Sequence, residues 1–141
     1  MNQNALSAIL QDGCELIDVI LSDTENLSVS EFIRIHENNF FQSVQPITSL
    51  LAPECRTNIS IAAETAYVFL VGSYLYFRLT GKPVTWFERR RFAVFQSQFE
   101  PFFRRTLCTH IPNRFQTLEE LRDCLQNQID LIQDAYDDVS F

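Results

Sequence analysis

With 141 residues and a formal charge of −7, the chain has the length of one domain, and its 46% hydrophobic residues supply a core without disulfides or metal. Three Gly and five Pro exclude a collagen-like or low-complexity chain and argue against a turn-rich β sandwich. Eighteen acids against eleven bases disfavour nucleic acid or an anionic membrane as partner of the surface as a whole.

Apolar residues at Leu6, Ile9, Leu10, Leu16, Ile17, Ile20 and Leu21 follow a spacing of three and four, which predicts a helix over about 3–21. Ser28-Val-Ser-Glu31 is a capping box, whose hydroxyl and carboxylate would satisfy free amides at the start of a second helix. Its apolar pattern runs on through Phe32, Ile33, Phe40, Phe41, Val44, Ile47 and Leu51, with a kink or break expected near Gln45 because Pro46 follows. A third helix is expected from about Ile59 to Leu79, apolar nearly all round and stopped by Gly81 and Pro83. Within it the longest uncharged run, Thr65 to Phe77, is thirteen residues. A membrane span needs about 20, so a buried helix is expected and no span.

Thr85-Trp-Phe-Glu88 is a second capping box and opens a fourth helix reaching about Cys108, with Pro101 expected to kink or split it. Thr117-Leu-Glu-Glu120 is a third and opens a fifth helix, whose stripe is Leu118, Leu121, Leu125, Ile129, Ile132 and Tyr136. No alternation is long enough to predict a strand. The expected fold is all-α: a single-domain antiparallel bundle over residues 1–141, with five main helices, or seven segments if Pro46 and Pro101 both break theirs. Connections of about six or seven residues are expected to join antiparallel neighbours.

The first twelve residues hold no base and no unbroken apolar run, unlike a secretion signal. Cys14, Cys55, Cys108 and Cys124 are scattered without a Cys-x-x-Cys pair, so a reducing cytoplasm is the expected compartment.

Charge is distributed in blocks. Residues 1–77 carry nine acids and two bases, residues 78–114 eight bases and two acids, and residues 115–141 seven acids and one base. Asp12, Glu15 and Asp18 share one face of the first helix, as Glu119, Glu120 and Asp123 do on the fifth. Such faces suit a basic protein partner, and these six acids are the expected partner-binding residues. In the basic block the five Phe from Phe92 to Phe103 form one stripe, which leaves Trp86, Phe87 and the Arg for contact. If that helix is exposed, Arg89, Arg90, Arg91, Arg104 and Arg105 form an anion-binding face, the one route to nucleic acid. If it is sheathed between the acidic first and fifth helices, Arg forks bridge their carboxylates instead.

Phosphate-cradling glycine loops and a Gly-x-Ser-x-Gly elbow are absent from the sequence, and no Glu-x-x-His pair precedes either His36 or His110. Neither a metal nor a cofactor is expected. Arg105-Thr-Leu-Cys-Thr-His110 resembles the signature of HEPN-domain ribonucleases, small all-α domains. The resemblance implies metal-free attack on an RNA phosphate, with His110 moving the proton and Arg105 stabilising charge, usually across a dimer interface. The family's polar residue after the Arg is replaced here by Thr106.

The leading expectation is a small acidic cytoplasmic binding module, of the inhibitor, immunity, anti-defence or chaperone kind, which acts by occupying a protein with a basic surface and has no catalytic residues. A HEPN-like ribonuclease using Arg105 and His110 is one alternative. A homodimeric ligand-binding domain with an aromatic pocket, built from Tyr67, Tyr74, Tyr76 and the Phe cluster, is another.

Overall fold

The computed structural model describes residues 3–23, 25–84 and 99–139, and within them every regular element is helical. Helix α1, Gln3–Ser22, buries Leu6, Ile9, Leu10, Leu16, Ile17 and Ile20 on the expected face. Leu21, placed by its spacing in the same stripe, is 49% exposed at the helix end.

Helix α2 is only seven residues long, Val29–Ile35. Ser28 caps it by accepting from the Glu31 amide at 3.2 Å, but the Glu31 carboxylate binds Arg34 rather than completing the box. The helix ends well before Pro46. Glu37, Asn38 and Asn39 follow His36, and asparagine side chains compete for the backbone and favour turns. Phe41, Val44 and Leu50 still reach the core from turns and from a short 3-10 segment, Ile47–Leu50, so apolar spacing persists where the helix does not.

Helix α3, Pro53–Thr57, was not expected; its proline stands in the first turn, where the missing amide is harmless. Helix α4, Glu64–Thr80, starts five residues later than the spacing predicts and ends at Gly81, whose φ of 73° is the left-handed conformation that glycine tolerates. Helix α5, Glu100–Thr106, carries Pro101 in its first turn, where a proline that splits the expected helix would stand. The expected helix start at Thr85–Glu88 lies outside the described residues, as do Phe92 and Phe95. Phe99, Phe102 and Phe103 are buried as the stripe predicts. A 3-10 turn, Ile111–Asn113, precedes α6, Leu118–Val139. Thr117 caps α6 by accepting from the Glu120 amide at 3.2 Å, and Leu118, Leu121, Leu125, Ile129 and Ile132 are buried.

The described residues therefore hold six α-helices and two 3-10 turns, and a five-helix antiparallel bundle is not what they establish. Residues 36–63, far longer than a tight connection, join α2 to α4. The chain from Val29 to Phe41 runs in the same sense as α4: Val29 N–H meets the Ile61 carbonyl, Phe32 packs on Tyr67 and Phe41 on Tyr74. Helix α1 runs opposite to both α4 and α6. Asp12 meets Arg78 near one end of α4 while Tyr67, near the other, donates to the Leu27 carbonyl. Gly13 faces Leu125 and Asp18 faces Arg122 on α6.

Helix α4 is the centre, packing on α1, α2, α5, α6 and the Ile47–Leu50 turn. Two of its crossings depend on bare glycine. A Cβ on Gly72 would lie 2.4 Å from Thr106 Oγ1 and 2.5 Å from Thr106 Cβ. A Cβ on Gly13 would lie 2.9 Å from a Leu75 methyl carbon and 3.3 Å from a Leu125 one.

One buried ion pair ties these parts together. Arg114 is 1% exposed, and its guanidinium donates to both carboxylate oxygens of Glu54, at 2.8 Å for the Nη2–Oε1 bond. It also donates to the Thr65 carbonyl at 3.1 Å and, through Nε, to the Cys108 carbonyl at 2.7 Å, with the Phe69 ring centroid 5.2 Å away. Burial pushes the Glu54 carboxyl up, but the Arg114 fork, its own backbone amide and the opposite charge outweigh this and hold it below 4.5, its ordinary value.

Arg114→Ala is expected to cost about 3–5 kcal/mol in urea unfolding, because it strands a partly buried carboxylate. Since the folded carboxyl titrates below its unfolded value, its contribution is complete above 4.5 and is lost as pH falls through the folded value. Stability measured from about pH 5 down to about pH 3 should therefore fall more steeply in the native chain than in Glu54→Gln. Gly72→Ala is expected to destabilise by about 1–3 kcal/mol, since β-branched Thr106 cannot move aside. Gly13→Ala meets only leucine methyls and gains helix propensity, so its loss should be clearly smaller.

Candidate functional site

The helices that carry the acidic faces pack directly on one another, since α1 makes its most extensive contact with α6. Where they touch, no basic helix separates them among the described residues; of the expected basic helix only residues 99–108 are described, and this part packs chiefly on α4 while Arg105 approaches Glu120 of α6. Where α1 meets α6, Arg122 donates to Asp18 through two bonds, Nε–Oδ1 at 2.7 Å and Nη2–Oδ2 at 3.1 Å. The hydrogen bond from Arg122 holds the Asp18 carboxyl below its usual range. Both side chains remain substantially exposed, so the pair marks the surface line of the seam.

Acids flank that line on both sides. Glu15 stands one turn before Asp18, and Glu119 one turn before Arg122 with Asp123 beside it, all three exposed. None of these three is in an ion pair among the described residues. Asp12 is drawn inward: Arg78 donates to it at 2.8 Å and to the Tyr74 hydroxyl at 2.8 Å. Glu120 doubles as the cap partner of Thr117 and stands 3.7 Å from Arg105. Of the six acids expected to bind a partner, Glu15, Glu119 and Asp123 are thus available, while Asp12, Asp18 and Glu120 have internal partners.

A groove of about 740 Å³ continues the acidic surface between α1, the turn after α2, and α4. Asp12, Glu15, His36, Phe40, Tyr74 and Arg78 line it, and the buried His36 Nδ1 has no hydrogen-bond partner. Tyr74 takes edge-to-face contacts from Phe40 and Phe41, while Tyr67 and Tyr76 are buried against Phe32 and Phe103. The tyrosines of the expected aromatic pocket are therefore mostly core. Burial pushes the Tyr67 hydroxyl up to about 12, and it donates to the Leu27 carbonyl.

Arg89, Arg90 and Arg91 lie outside the described residues. Arg104 and Arg105 are exposed and line a cleft of about 570 Å³ at the end of α5, together with Phe103, Leu107, Cys108, His110 and Asn113. The structure thus brings Arg105 and His110 to one cavity. Arg105 lies over the Phe115 ring, 3.9 Å from its centroid. Thr106 is fully buried, donates back to the Phe102 carbonyl at 3.2 Å and packs at Gly72, so it is turned away from the cleft. Among the described residues no three His, Cys, Asp or Glu side chains come together as a metal ion requires, and no helix is long and apolar enough to cross a membrane.

Sequence reasoning missed Arg114 and Glu54, sixty residues apart with no shared periodicity. The one local signal was Pro53-Glu54, a proline and an acid in the order that opens a helix. No protein-family model matches the chain, and no curated protein or solved structure is significantly similar to it.

If the Asp18–Arg122 pair only marks the seam, a double-mutant cycle with Asp18→Asn and Arg122→Gln should give a coupling below about 1 kcal/mol, shrinking further in high salt. A larger, salt-insensitive coupling would make the pair a structural support.

Proposed function

We propose that the protein is a small binding module that acts by occupying another protein with a basic surface, through the joined acidic faces of α1 and α6. The observation that carries this reading is the Asp18–Arg122 pair, which brings acids about a hundred residues apart in sequence onto one surface. Among the described residues, the carboxylates of Glu15, Asp18, Glu119 and Asp123 lie along these two faces with the Arg122 guanidinium, which Asp18 already engages. A field of one sign steers a partner of the opposite sign and raises its association rate. The groove beside Asp12 and Glu15 gives this surface a concave part, where an Arg or Lys of the partner would find the Glu15 carboxylate and the Phe40 ring together. An inhibitor, an immunity protein, an anti-defence factor or a chaperone-like protein would all work this way. Four unpaired thiols suit the reducing cytoplasm.

The test is affinity capture from native lysate, followed by association kinetics with the partner identified. The combined Glu15→Lys, Glu119→Lys and Asp123→Lys variant should associate about tenfold more slowly at low salt, with its thermal unfolding little changed. The native chain should slow towards it as salt is raised. Equal rates and equal salt dependence for the two would refute the proposal.

A further inference from the structure

The cleft at the end of α5 has the opposite character to the seam, and we propose that it binds a small organic anion carrying a phosphate monoester. Its described lining includes Arg104, Arg105, His110 and Asn113 and no carboxylate, on a chain whose formal charge is −7. The Arg105 guanidinium, the His110 imidazole and the Asn113 amide offer N–H donors from several directions. That arrangement suits the tetrahedral oxygens of a phosphate better than one planar carboxylate. Glu120 approaches Arg105 only to 3.7 Å, beyond hydrogen-bond distance, and the Arg105 side chain is 53% exposed. The stack on Phe115 fixes its guanidinium plane without removing its charge.

A helix C-terminus ordinarily repels an anion, because its last carbonyls are unsatisfied. Here three carbonyls of its last two turns have partners. The Phe102 carbonyl accepts from Thr106 Oγ1, that of Phe103 from the Leu107 amide, and that of Arg105 from the Phe115 amide at 2.9 Å. The loop that forms the other wall is equally committed. Arg114 holds the Cys108 carbonyl, the Asn113 amide donates to the His110 carbonyl, and the Gln116 side-chain amide donates to the carbonyls of Ile111, Pro112 and Arg114. A wall fixed before binding loses little entropy on binding. At about 570 Å³ the cleft exceeds a bare phosphate and falls within the range of small-molecule sites, with Phe103 and Leu107 on its apolar side. The ligand therefore carries an organic body.

The experiment is a titration of the full chain at fixed ionic strength, by calorimetry or by chemical-shift mapping, with a nucleoside monophosphate, inorganic phosphate and malonate as probes. The expected result is saturable binding of the nucleoside monophosphate, weaker binding of phosphate, and the weakest for malonate. Arg105→Gln and His110→Ala should each weaken the nucleoside monophosphate by about tenfold while leaving the thermal melt in place. Arg56→Gln, an exposed base on α3 away from the cleft lining, should bind as the native chain does. The proposal is overturned by the absence of saturation up to about 10 mM, by malonate matching the phosphates, or by cleft variants that bind like the native chain. Metal-free RNA cleavage abolished by His110→Ala would also overturn it, in favour of a nuclease centre.

Discussion

The guanidinium of Arg114 joins three parts of the chain: the start of α3 through Glu54, the first turns of α4 through Thr65 and the Phe69 ring, and the loop after α5 through Cys108. A buried cation is tolerated only when its donors find acceptors, and here a carboxylate and two carbonyls provide them. Once those bonds form, the direction in which the chain leaves α5 and enters α6 is constrained. Both the cationic cleft and the α6 cap at Thr117 lie on the segment so placed. The short helix α3 would have little to hold it otherwise, since it is one turn long and contributes only Cys55 to the buried set.

Around that anchor, α4 is buried on nearly every side and presents no wide charged face of its own. Helices α1 and α6 pack on it and on each other and bring their acids together. Helix α5 packs on it too, and with the loop that follows gathers Arg104, Arg105 and His110 around a cleft without a carboxylate among its described lining. Arginines pair across helices, Arg78 with Asp12 and Arg122 with Asp18, and leave an acidic remainder outside. The net charge alone conceals this arrangement. A molecule at −7 can offer a partner an acidic seam and a small anion a basic cleft, because screening confines each field to roughly 10 Å.

Close packing at α4 sets the limits on change. Gly72 and Gly13 let neighbouring helices approach its axis more closely than any side chain would allow, and the aromatic clusters around Tyr67, Tyr74 and Tyr76 fill the wider gaps with edge-to-face contacts. Among the described residues the aromatic side chains are thus largely interior. Phe40, only half-buried at the edge of the groove, is where that interior comes to the surface.

Periodicity in the sequence was enough to place α1, α4 and α6 and, without alternation long enough for a strand, to indicate the all-helical class, because the burial of one face is written at every third or fourth residue. The hydroxyl caps at Ser28 and Thr117 and the stop at Gly81 were legible for the same reason: each is a bond between residues three or four apart. The same logic overran α2, where the apolar spacing continues through turns. It did not reveal α3, the direct contact of α1 with α6, or the Glu54–Arg114 bridge. Those depend on which distant groups find each other once water is excluded, and a charge that must be satisfied in the interior carries no mark in its sequence neighbours. The sequence by itself determined the helices and their apolar faces; the tertiary structure decided which acids became partners of arginine and which remained on the surface.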